Sequence, residues 1–217
     1  MTAASPKDIP SPPSRRGRRQ QVDPAQIVDA ALAVFSEKGF AASRLDEVAA
    51  RAGVSKGTLY LYFESKEALF KGVVRQTLLP NLDQFEMVAA GYQGSSAALL
   101  EILVRRVVHV MTGTKAGLIP KMVLAEAGNF PDLAKFYVDE VVGRGTALIT
   151  RILRRGADSG EFRPMGEHAA MVIVGPCMMA ALWNHGLGAA VGRLLEPDAF
   201  ADQIIDLLLG GLTARGA

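Results

Sequence analysis

Residues 43–66, SRLDEVAARAGVSKGTLYLYFESK, hold two short apolar stripes parted by a glycine, and few folds accommodate that pattern. Leu45, Val48, Ala49 and Ala52 recur at three and four residues, so they share one face of a short helix that must pack against other structure. Ser43, with Asp46 three positions on, supplies a start signal: a hydroxyl for an orphan backbone N–H, and an acid at the positive end of the helix dipole. Gly53 supplies the stop. Ser55 then caps a second helix in which Leu59 and Phe63 face inward, leaving Lys56, Thr58, Tyr60 and Tyr62 available. Those side chains suit a DNA groove. Lys and Tyr reach phosphates or base edges, a Thr methyl sits against a thymine, and Gly57 lets the helix approach the DNA backbone closely. Lys66, just past the second helix, adds an expected phosphate contact. The same periodicity is compatible with an ordinary helical hairpin inside an all-α domain.

A third helix precedes the pair. Ile27, Ala30, Ala31, Val34 and Phe35 fall on one face, Pro24 opens the first turn, and Lys38 and Gly39 close the last. Three helices of this size share one small core and make a helix-turn-helix rigid enough to dock. The order AALAVFSEKGF, then LDEVAARAGVSKGTLYLYFESKEALF, resembles the N-terminal domain of the TetR family of bacterial transcriptional regulators over roughly residues 20 to 72. The resemblance implies that Ser55, Lys56, Gly57, Thr58, Tyr60, Tyr62 and Lys66 face DNA, and that Ser43 and Arg44 touch its backbone at the entry of the first helix of the pair. The family often has Thr or Ser where Arg44 stands, which leaves the cap to Ser43 or residue 44.

Charge is uneven along the chain. Residues 1–66 carry ten Lys or Arg against seven Asp or Glu, and Arg15, Arg16, Arg18 and Arg19 form one run beside the reading unit. That run reads as a basic arm, with Arg18 and Arg19 on phosphate or in a minor groove; a solvated tail is the alternative. Residues 1–14, rich in Pro and Ser, are expected to be disordered. The single cysteine, Cys177, excludes an intramolecular disulfide and reads as a buried inert thiol, which fits a cytoplasmic protein. No apolar run adjoins the N-terminal charges, so no secretory signal is expected. Residues 169–192 carry no Asp, Glu, Lys or Arg, but Pro176, Asn184, His185 and several glycines interrupt them, so a buried helix is expected and not a membrane span.

Beyond Lys66 the pattern is helical throughout, with helices expected at 66–89, 96–112, 115–127, 131–158, 167–190 and 197–213. The expected fold is therefore all-α: a basic arm (1–19), a three-helix helix-turn-helix DNA-binding domain (20–66), and a helical ligand-sensing and dimerisation domain (67–217). The last two helices are too apolar for one packing face. A two-fold four-helix bundle, which is also how the TetR family dimerises, would bury the second face through Ala180, Ala181, Phe200, Ile204 and Leu208; burial inside a monomer is the alternative.

The stretch LIPKMVLAEAGNFPDLAKFYVDEV is similar to the C-terminal half of AcrR-like and AefR-like regulators, which implies a ligand cavity. Met111, Met122, Phe130, Tyr137, Met171, Met178 and Trp183 are candidates to line it, with Glu126 and His109 as polar groups; plain core or surface roles would explain the same residues. No catalytic constellation, metal-ligand spacing or phosphate-cradling loop appears, so neither an enzyme nor a cofactor is expected. The expected function is a homodimeric, ligand-responsive repressor that binds a double-stranded DNA operator and is released by a small apolar or amphipathic effector. A constitutive or architectural DNA-binding dimer is the alternative.

Overall fold

The computed structural model describes residues 23–212, and among these residues the architecture is all-α with no strand. Helix α1 (Pro24–Lys38) starts where the Asp23 carboxylate accepts the Ala25 N–H at 2.9 Å, and it ends at Gly39, whose φ of 79° turns the chain sharply. Helices α2 (Leu45–Arg51) and α3 (Lys56–Tyr62) follow, joined through Gly53 at φ 68°. Only glycine adopts such angles without crowding its own carbonyl, so both turns are written into the sequence. Helix α4 (Lys66–Thr77) opens on Ser65, whose hydroxyl accepts the Ala68 N–H at 3.0 Å.

The helix expected at 66–89 is two, α4 and α5 (Leu79–Gly91), with Pro80 in the first turn of α5 removing the N–H that a continuous helix would need. Helix α6 (Ser96–Gly113) leads through a short 3₁₀ turn, Lys115–Gly117, into α7 (Leu118–Glu126). The helix expected at 131–158 is continuous but irregular: α8 (Pro131–Tyr137) widens into a π-helical turn, Val138–Val142, before α9 (Gly143–Asp158). The penultimate helix is broken instead: α10 (Ala169–Leu182) leads through Trp183–Leu187, where Gly186 leaves helical geometry at φ −139° and ψ −105°, and kinks into the short α11 (Gly188–Ala190). Helix α12 (Pro197–Leu212) closes the described chain and packs along α6.

Two apolar clusters organise these helices. The first joins the N-terminal unit to the body, because Phe35, Phe40 and Leu59 share it with Phe70 and Val73 of α4, Ile119 and Met122 of α7, and Leu133 and Tyr137 of α8. Phe40 is fully buried at its centre, edge-on to Phe35, Phe70 and Phe130 with ring centroids 5.3, 5.4 and 4.9 Å away. The second cluster lies within the C-terminal bundle of α6, α9, α10 and α12.

The run Ala169–Ala190 is long and apolar enough to cross a bilayer, yet it packs on α6, α7 and α9 along one side. Its other side, with Met171, Val172 and Met179, stands exposed in the single chain. Because Phe40 supports both units at once, Phe40→Ala should destabilise the protein by about 3–5 kcal/mol. Urea unfolding measures this, and a loss below about 1 kcal/mol would show the aromatic joint to be dispensable.

Candidate nucleic-acid interface and ligand cavity

Helix α3 is anchored by Leu59, which is fully buried, and by Phe63, whose ring lies so close to Gly72 of α4 that a Cβ there would sit 2.6 Å from it. The Ser55 hydroxyl caps the helix by accepting the Thr58 N–H at 3.0 Å and lies 2.8 Å from the Thr58 hydroxyl. With one face held this way, Lys56, Gly57, Tyr60, Leu61 and Tyr62 are exposed on the other. Lys56 pairs with Asp46 at 2.7 Å, and that hydrogen-bonded carboxylate holds the ammonium above its ordinary pKa. Arg44 is exposed beside them, 3.5 Å from Asp46. The face therefore presents cations and tyrosines on a rigid frame, the chemistry of phosphate and base-edge contact. Arg18 and Arg19 lie outside the described residues.

Two expected contacts leave this face. Ser43 is buried, and its hydroxyl donates to the carbonyls of Gly39 and Val34 instead of capping α2, whose N-cap is Arg44 without any side-chain hydrogen bond. Lys66, expected on phosphate, turns back to donate to the carbonyls of Phe40, Ala41 and Ser43 at 2.7, 2.9 and 3.1 Å. All three ammonium donors are thereby used, and the Phe40 ring lies 4.7 Å from the nitrogen.

The turn between α1 and α2 is held from the opposite side as well. Glu126, at the end of α7, is buried, and its Oε1 accepts the Ala41 N–H at 2.9 Å while Oε2 lies 3.4 Å from the Asn129 amide nitrogen. Glu126 is thus a bond between the two units and not the cavity group expected. Phe130 and Met122 belong to the same joint, Phe130 through its edge contact with Phe40 and Met122 through the shared cluster.

The cavity itself lies between α5, α6, α9, α10 and the π turn, with about 920 Å³ of atom-free space, its open mouth included. Of the expected lining residues, Met111, Tyr137 and Met178 border it. His109 instead sits on the surface, 2.8 Å from Asp198; Met171 is exposed; and the Trp183 indole N–H donates to the Arg193 carbonyl. Helical spacing could not separate these residues, because an apolar side chain facing a void and one facing a neighbouring helix occupy the same stripe. For the same reason Asn81, Phe85, Val104, Ile149, Ile173 and Cys177, which also line the space, carried no sequence signal.

No lining residue is Asp, Glu, Lys, Arg or His. Burial pushes the Cys177 thiol up to about 11 and raises the Tyr137 phenol further above its ordinary value, so both stay protonated and neutral. The Thr146 hydroxyl donates to the carbonyls of Val142 and Gly143 at 2.8 and 3.1 Å, satisfying the π turn. The cavity suits an apolar body with few polar groups. No group of three or more His, Cys, Asp or Glu positioned for a metal ion occurs among the described residues.

Of the residues expected at a dimer interface, Ala180, Ala181 and Ile204 are buried within the protomer, on the faces of α10 and α12 that pack into the bundle. Phe200 and Leu208 are half-buried against the same cluster. The outward face carries Val172, Gly175 and Met179 on α10 and Leu207, Gly210 and Gly211 on α12.

Comparison with known proteins agrees with this geometry. Residues 27–73 match the model of the bacterial regulatory proteins of the tetR family, and residues 93–208 match a tetracyclin repressor-like C-terminal domain. The HTH-type transcriptional regulator RutR of Escherichia coli (strain K12) is 47% identical over 209 residues, covering 93% of this chain and 95% of that regulator. Among solved structures, the transcriptional regulator FadR from Bacillus subtilis in complex with stearoyl-CoA superposes with a TM-score of 0.70 at 21% identity, over 87% of this chain and 99% of that one. The fatty acid degradation regulator FadR from Bacillus halodurans gives 0.74 at 24% identity, over 88% and 100%. These two share the fold.

The two lysines separate cleanly by experiment. Lys56→Gln should leave the melting temperature unchanged and flatten the salt dependence of duplex binding by about one unit of slope, as expected for one lost phosphate contact. Lys66→Gln should lower the melting temperature with the slope unchanged. Fluorescence anisotropy at several salt concentrations, on a duplex selected by the protein from a random pool, reads both. A fully stable Lys66 variant with a shallower slope would return Lys66 to the phosphate-contacting set.

Proposed function

The chain belongs to the TetR family of bacterial transcriptional regulators, and from that premise we propose that it is a homodimeric repressor whose hold on a roughly palindromic operator is released by a small, uncharged or amphipathic effector. The reading helix is α3, entering a major groove with Ser55, Lys56, Gly57, Thr58, Tyr60 and Tyr62 toward the DNA and Arg44 on the backbone. Residues 20–66 form the reading unit and 67–217 the sensing and dimerisation unit, with residues 1–19 as a basic arm. One observation carries the effector reading: the cavity is lined almost wholly by apolar atoms and borders the helices that brace the reading unit. The stearoyl-CoA in the Bacillus subtilis FadR structure supports an acyl chain as the kind of body such a space takes.

The route from cavity to DNA is short. Met111 and Tyr137 border the cavity, and Tyr137 ends the helix whose N-terminal flank is Phe130. Phe130 abuts Phe40, and Glu126 holds Ala41, so a shift of α7 or α8 moves the turn from which α2 and α3 begin. Ligand acts by favouring a dimer with wrongly spaced reading heads, and its differential affinity for the two states sets the extent of release. A cytoplasmic location follows from this role.

The exposed residues of α10 and α12 support the dimer: Val172, Met179 and Leu207 are uncovered, and Gly175, Gly210 and Gly211 allow close approach. The double variant Val172→Glu with Leu207→Glu should remain folded, sediment as a monomer, and bind a palindromic duplex with the affinity of a single half-site. A dimeric double variant would place the interface elsewhere. For the effector, a thermal-shift panel of C8–C18 alcohols, ketones and fatty acids should yield compounds that raise the melting temperature and weaken duplex binding together. A panel in which none does both favours the constitutive DNA-binding dimer.

A further inference from the structure

Leu61 is 84% exposed, the most exposed of the large apolar side chains among the described residues, and it is the penultimate residue of α3. It stands two residues from the fully buried Leu59, about 200° around the helix, and so points directly away from the core. Gly57 precedes it by one turn on that same outermost line and contributes no side chain. Leu61 therefore lies on the outermost line of the helix, flanked by Tyr60 on one side and by Thr58 and Tyr62 on the other.

Solitary exposed leucines are ordinary on protein surfaces, but here the position limits what can cover the side chain. One isobutyl group flanked by two tyrosines and a threonine is far smaller than the apolar patch that a protein partner needs. A base edge is not. In the major groove the one apolar feature of the base pairs is the C5 methyl of thymine, which matches a protruding aliphatic side chain in size and polarity. Thr58, the other residue on this helix with a methyl to offer, is half-buried, and its hydroxyl is tied to Ser55.

We infer that Leu61 is a specificity-determining residue that reads a thymine methyl in each operator half-site. The inference rests on α3 being the DNA-reading helix. Without a thymine at that step, binding would leave the isobutyl group against polar base edges.

The test uses the full-length protein and a duplex that it selects from a random pool. Each thymine is replaced in turn by deoxyuridine, which keeps Watson–Crick pairing and removes only the methyl. Wild type should lose about fourfold in affinity for each half-site at one symmetry-related thymine, the effect of failing to bury one methyl group. Leu61→Ala, with an unchanged melting temperature, should bind the thymine and deoxyuridine duplexes alike, and Leu61→Met should restore most of the discrimination. A selected half-site without any methyl-sensitive thymine would overturn the assignment, as would a Leu61→Ala variant that keeps the full sensitivity or weakens on every sequence equally. Failure to select or bind any duplex would instead remove the reading of α3 itself.

Discussion

Five residues of backbone, Gly39–Ser43, set the orientation of everything that faces outward in the N-terminal unit. The turn has too few apolar atoms to hold itself, and its polar groups are met from elsewhere: three carbonyls by the Lys66 ammonium and the Ala41 amide by the Glu126 carboxylate. Phe40, fully buried among three other aromatic rings, fastens it to both units. A charged hydrogen bond in a protected site is stronger than a neutral one, and removing one partner strands the other without water. The turn is therefore rigid with respect to both α4 and α7, and α2 with α3 inherits that rigidity.

This arrangement makes a regulator out of two ordinary helical units. In the proposed regulation, a cavity lined without charge would discriminate by shape and apolar area, which vary smoothly with the ligand, whereas the turn would respond to small displacements because packed aromatic joints have few alternative arrangements. The helix on the flank of the cavity kinks at Gly186, and a π turn at Val138–Val142 borders the cavity itself. Extra residues of this kind widen a helix locally and are frequent where a site must be shaped.

Much of the reading unit was legible before any coordinates. The glycines at 39 and 53, the Ser55 cap and the stripe of Leu59 and Phe63 each dictate local geometry through nearest neighbours, and the structure has all of them. The errors share one origin. Ser43 resembled a helix cap and Lys66 a phosphate contact because both are polar and near DNA-facing residues, but each hydrogen-bonds backbone carbonyls of the turn before α2, Ser43 within its own turn and Lys66 from more than twenty residues away. Glu126 resembled a ligand-orienting carboxylate because it lies between Met122 and Phe130 on one helix, but its partner is the Ala41 N–H, 85 residues away. Leu61, an apolar residue among polar ones, carries no signal of its own because composition does not reveal which side of a short helix is left uncovered.

The amino-acid order alone determined the helical fold, the two glycine turns and the presence of a DNA-reading helix, since these depend on propensity, capping and periodicity over a few residues. Only the folded molecule decided which apolar residues enclose a void and which fill the core, and that Ala180, Ala181 and Ile204 face inward while Val172 and Leu207 face out. It also decided that Lys66 and Glu126 share one turn. Those outcomes depend on how helices far apart in sequence are set against one another, and a periodic stripe specifies that a face is buried without specifying against what.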